Sequence, residues 1–163
     1  MNQSPNTLFV GLGSPHGDDQ IGWLVVDRLI CVDDRPSGLV IRKATIPLDL
    51  LDWLDGIQRL VVCDAMEPTS TRVDLQHWTW CRAADKIPTG LLTQLFRVRT
   101  GNSHDYQLAE VLDLANRLDK LPPRIEIWGI PTIQCEYGHP ISDELLDELS
   151  TICEDILSEL MSK

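Results

Sequence analysis

The chain has 163 residues, 43% hydrophobic and 24% charged, the balance of an ordinary globular protein long enough to bury a substantial core as one domain, 1–163. Its formal net charge of −11 and pI near 4.6 argue against nucleic acid or an anionic membrane as a partner, and no apolar run approaches the ~20 residues of a membrane span. The five cysteines contain no C-x-x-C pair, so neither a disulfide framework nor a zinc knuckle is expected. The start of the chain lacks a basic segment followed by an apolar one, and a reduced, cytoplasmic protein is the expectation.

In chain order, the apolar run from Thr7 to Val10 reads as a buried strand that breaks at Gly11 and Gly13, the first strand covering about residues 7–12. The adjacent acids Asp18 and Asp19 follow. A helix is then expected from Asp19 to Cys31, with Ile21, Leu24, Val25 and Leu29 on one face and carboxylates in the first turn, where the helix dipole favours them. Residues 33–38 form a turn cluster, and Leu39 to Arg42 a second strand. Pro47 opens a short helix carrying Leu48, Leu51 and Leu54. Arg59 to Cys63 is a third strand, ending at Asp64. Val73 to Trp80 alternates loosely, as a strand with one exposed face does.

Residues 81–102 carry no readable pattern beyond a brief amphipathic turn at Leu91, Leu92, Leu95 and Phe96. Ser103 is suited to cap a helix whose inward positions are Leu108, Val111, Leu112 and Ala115. Arg124 to Trp128 is a strand, Gly129 to Pro140 a loop, and Ser142 caps a last helix bearing Leu145, Leu146, Leu149, Ile152, Ile156, Leu157 and Leu160. This alternation predicts an α/β three-layer sandwich: a mostly parallel twisted sheet flanked by helices, with the 73–80 strand as an antiparallel edge.

Strand, glycine turn, helix start is the usual layout of an α/β ligand site. A phosphate-binding turn presents N–H groups to an anion, whereas this one presents carboxylates and suits a cation. Asp19 after the first strand, Asp64 after the third and His104 at a loop-to-helix junction fall where strand carboxyl ends meet. Two oxygen donors and one imidazole, with positions left for water, suit nickel, zinc, iron or manganese and not calcium. Each residue also has an ordinary reading: a dipole-complementing acid, a turn former, a surface histidine. His16 and His139 are further contacts at the same edge; His77, in a strand, reads as structural. Asp18 is either a supporting carboxylate or a helix cap. There is no G-x-S-x-G elbow, no H-E-x-x-H and no Walker pattern. Gly11-Leu-Gly13 with Gly17 is a weak dinucleotide turn, and Asp33 and Asp34 fall before the second strand instead of at its end.

Four segments, in order, resemble the motifs of the hydrogenase maturation endopeptidases, the proteases that trim the large subunit of nickel-iron hydrogenases. They are Gly11-Leu-Gly-Ser-Pro-His-Gly-Asp-Asp19-Gln-Ile-Gly22, Val61-Val-Cys-Asp-Ala65, Ser103-His104 leading to Leu108–Leu112, and Gly129-Ile-Pro131 with Glu136 and Gly138–Ser142. Two positions depart: Gln20 stands where many members have glycine, and Ser14 where asparagine is usual. The resemblance implies the α/β sandwich and maps the nickel-contacting and catalytic residues onto Asp19, Asp64 and His104. It implies a substrate, the hydrogenase large-subunit precursor, whose own nickel is read before a C-terminal extension is removed. Nickel is then supplied by the precursor and is no resident cofactor. The competing readings are a non-catalytic nickel-sensing or metallochaperone module using the same residues, and a nucleotide-binding domain. Trp78 and Trp80, on one face of their strand, are either core or part of a docking surface.

Overall fold

Thr7–Leu12 forms β1, and its glycine break at Gly11 stays inside the strand. The computed structural model describes residues 6–66, 74–81 and 108–162. A 3-10 turn at Gly17–Gln20 leads into α1, Ile21–Ile30, so the expected first helix begins with a tighter turn that carries both acids. Then come β2 (Leu39–Ala44), a second 3-10 turn (Pro47–Asp52), β3 (Arg59–Met66) and β4 (Gln76–Cys81). After these follow α2 (Leu108–Arg117), β5 (Arg124–Pro131) and α3 (Asp143–Met161).

The five strands make one sheet in the order β2-β1-β3-β5-β4. The first four in that order are parallel, and β4 pairs antiparallel with β5 as the edge. Two cores fill the two sides. One joins Leu8, Val10, Leu60, Val62, Ile125 and Ile127 to α2 and the Pro47–Asp52 turn. The other joins Phe9, Val61, Cys63, Trp128 and Ile130 to α1 and α3. The period-two alternation of β1, β3 and β5 is what lets one run of apolar residues feed both layers. Trp80 is buried and Trp78 packs against the same core, so this pair belongs to the interior. His77 stacks on Trp128 at 4.0 Å between ring centroids and lies 3.6 Å from Glu126, the structural role expected of it.

Helix α1 sits on the sheet at backbone-to-backbone range. A Cβ on Gly22 would fall 2.0 Å from the Leu12 carbonyl oxygen and 2.9 Å from that of Cys63, and one on Gly11 would fall 2.1 Å from the Gly22 oxygen. Two glycines facing one another thus set how deeply the start of α1 sinks over β1 and β3. At the opposite edge of the sheet, the fully buried Glu126 holds Arg59 by two bonds, 2.7 and 3.0 Å, with Arg124 Nε at 2.6 Å. Arg59 also donates to the Glu159 carbonyl at the end of α3. A guanidinium there adds to the Ser162 bonds on that carbonyl and complements the negative helix end.

Candidate functional site

Successive parallel strands are laid down to one side of β1 and then to the other: β2 first, β3 next. The strand order reverses between β1 and β3, and in open α/β sheets the crevice outside the carboxyl ends at such a reversal is where ligands bind. Asp19 and Asp64 lie at the carboxyl ends of the two strands on either side of this reversal, β1 and β3. Asp64 is two residues before the end of β3, paired in register with Gly129 of β5, and its Oδ1 accepts the Ala65 N–H at 2.9 Å. Asp19 belongs to the 3-10 turn beyond β1, which packs against β3. Its carbonyl accepts the Ser14 N–H at 3.2 Å, closing the glycine loop back on itself. Gly13 is needed there, since a Cβ would lie 2.6 Å from that same carbonyl oxygen. Both acids are buried, Asp19 at 8% and Asp64 at 1% exposure, an arrangement that positions carboxylates instead of solvating them.

Asp18 has a different task. It is fully buried, and its Oδ2 accepts N–H bonds from Ile133 at 2.7 Å and Gln134 at 2.9 Å, while Oδ1 accepts that of Ser142 at 2.7 Å. The backbone adds two bonds between the same segments, Asp18 N–H to the Gln134 carbonyl and Gly17 N–H to that of His139. Gly17 has a φ of +52°, and a Cβ on it would meet the Gln134 oxygen at 2.6 Å. The loop that follows β5 is therefore fastened to the turn that carries Asp19. Of the two readings open for Asp18, the supporting carboxylate is the one the geometry bears out, with its bonds going to a loop 115 residues or more away in sequence. This loop brings His139 to the same edge as His16, whose ring lies 4.4 Å from that of Tyr137, and His139 Nε2 is 3.2 Å from Glu136.

No family model matches the chain, and no curated protein matches it by sequence. Solved structures do match. The hydrogenase maturating endopeptidase HybD from E. coli superposes with a TM-score of 0.76 over 95% of this chain and 91% of its own, at 18% identity. A hydrogenase 2 maturation peptidase from a Thaumarchaeota archaeon gives 0.66 over 97% and 99%, at 22% identity. The NiFe hydrogenase maturation protease HycI from Thermococcus kodakarensis gives 0.69 over 99% and 96%, at 14% identity. The chain has the fold of the hydrogenase maturation endopeptidases.

Of the three residues singled out from sequence, Asp19 lies in the turn beyond β1 and Asp64 near the end of the neighbouring β3; His104 lies outside the described residues. Among the described residues, no group of three or more His, Cys, Asp or Glu side chains forms a metal-holding cluster. Cys63, next to Asp64, is buried, and burial followed by the neighbouring Asp64 and Cys153 charges pushes its thiol well above the ordinary range. That suits a packed strand residue and not a nucleophile. What sequence reading missed is which groups Asp18 holds: the N–H groups of Ile133, Gln134 and Ser142 lie more than a hundred residues away and leave no local signal.

Proposed function

We propose that this chain is a hydrogenase maturation endopeptidase, removing a C-terminal extension from a nickel-iron hydrogenase large-subunit precursor in the cytoplasm. The observation that carries the reading is the pair of buried carboxylates, Asp19 and Asp64, at the strand-order reversal of this fold. The order of the four sequence motifs supports it, and so does the likeness to three maturation proteases. Asp19, Asp64 and, from its motif, His104 are the residues assigned to the chemistry. Nickel enters as part of the substrate. Its contacts would be two carboxylate oxygens and an imidazole, a donor set that borderline divalent metals accept. A carboxylate at this edge is also a suitable general base toward water attacking the scissile carbonyl.

The test is a processing assay with nickel-loaded and nickel-free precursor, the products weighed by mass spectrometry. The expected result is loss of a C-terminal peptide from the nickel-loaded form alone, abolished in Asp19→Asn, Asp64→Asn and His104→Ala while circular dichroism stays that of wild type. Normal processing in any of the three variants would remove that residue from the site. Precursor binding without any change in its length would overturn the protease reading in favour of a chaperone of nickel insertion.

A further inference from the structure

The loop from Thr132 to Ile141 is held far more firmly than its own side chains require. Five hydrogen bonds tie it and the adjoining Ser142 to Gly17 and Asp18, three of them to a fully buried carboxylate. Yet the loop's largest apolar side chains face water: Ile133 is 53% exposed and Tyr137 85%. A rigid backbone presenting apolar and aromatic groups is how docking surfaces are built, because little ordering cost is left to meet on binding. The surroundings specify the charge of what docks. From residue 132 to 149 the chain has five carboxylates and no lysine or arginine. Glu136, Asp143, Glu144, Asp147 and Glu148 are exposed on the loop and the first turns of α3.

We propose that Ile133 and Tyr137, with the acidic start of α3, dock a basic segment of the protein substrate that carries an apolar side chain beside its lysines or arginines. The inference rests on the protease reading above for the identity of the substrate. Asp18 is then the positioning residue of the surface: through it the loop and the Asp19 turn move as one body, so docking and the candidate site keep a fixed relation. The carboxylates attract the segment and set its direction, and the two apolar groups supply the contact that resists dissociation.

The experiment uses the full chain and a nickel-loaded hydrogenase large-subunit precursor, with cleavage kinetics and the dissociation constant measured in parallel at two salt concentrations. The double variant Ile133→Ala/Tyr137→Ala is expected to raise KM and Kd about tenfold, the scale of losing an interface anchor, with kcat and melting temperature unchanged. Glu144→Lys/Asp147→Lys is expected to slow association and to flatten its salt dependence. Unchanged KM and Kd in the double variant would overturn the docking surface while leaving the protease reading intact. Wild type that binds but does not cut, with binding weakened in the double variant, would keep the surface and overturn the protease reading. Wild type that neither binds nor cuts would overturn both.

Discussion

Replacing Asp18 by asparagine changes almost no volume but alters every bond it makes. The carboxylate accepts three N–H groups, two on Oδ2 and one on Oδ1. An amide has only one accepting atom. Its better orientation keeps Ile133 and Gln134 on the oxygen and turns the NH2 toward the Ser142 N–H, donor against donor. One charge-assisted bond is lost, worth roughly 1.5–3 kcal/mol, and the remaining two weaken toward neutral bonds. Together the loss is about 3–5 kcal/mol, a large share of the roughly 5–15 kcal/mol that holds a domain together. At about 2–4 °C per kcal/mol for a chain of this size, the melting temperature should fall by about 10 °C. Urea unfolding followed by circular dichroism measures the first quantity and a thermal scan the second. Hydrogen exchange at the amides of Ile133, Gln134 and Ser142 locates the effect, which should be large there and small in β1 and β3. A loss below about 1 kcal/mol, or unchanged exchange at those three amides, would refute the clamp.

Gly22→Ala should destabilise by about 3 kcal/mol or more, since the new methyl meets backbone oxygens of β1 and β3 that cannot swing aside; urea unfolding reads it. Arg59→Met should cost about 3 kcal/mol, because it strips Glu126 of its bidentate partner, and Arg59→Met/Glu126→Leu should recover most of that loss in the same assay. Cys153 contributes a dependence on alkaline pH. Burial raises its thiol from 9.0 to about 11, so the folded state holds its proton longer than the unfolded state does. Stability should therefore be intact below pH 9 and fall as pH rises from 9.0 toward about 11, and Cys153→Ala should flatten that part of the profile of urea midpoints.

Much of the architecture was legible because alternation of short apolar runs with helical periodicity leaves few topologies. The expected strand at 7–12 coincides with β1, and the 73–80 segment becomes the antiparallel edge, trimmed to Gln76–Cys81. Strand ends were less legible. The third and last strands were expected to stop at Cys63 and Trp128, yet they run on together to Met66 and Pro131. Gly129 was the misleading residue. It reads as a loop opener, but it sits in the strand because Met66 Sδ and the Trp78 ring come within 2.7 and 3.1 Å of where its Cβ would be. Such contacts come from other strands and leave no local trace. The helix expected from Pro47 is a 3-10 turn of six residues, too short to develop a helical face. The positions of Asp19 beyond β1 and of Asp64 near the end of β3 were legible from their place after apolar runs. The partners of Asp18 were not, because they are more than a hundred residues away in the chain.

Arg59 gathers the end of α3 at the amino edge of the sheet, and Thr7 begins β1 at that same edge. Both ends of the described chain therefore lie across the full length of the strands from Asp19 and Asp64. For anyone handling the protein this has a practical side. A tether, affinity handle or fluorescent fusion joined ahead of Thr7 or past Met161 would leave from the amino edge of the sheet, across the strands from Asp19, Asp64 and the Tyr137 loop. Trimming the last turn of α3 is a different matter: it takes away the carbonyl that Arg59 grips, and its cost would appear as lowered stability, with the crevice itself untouched.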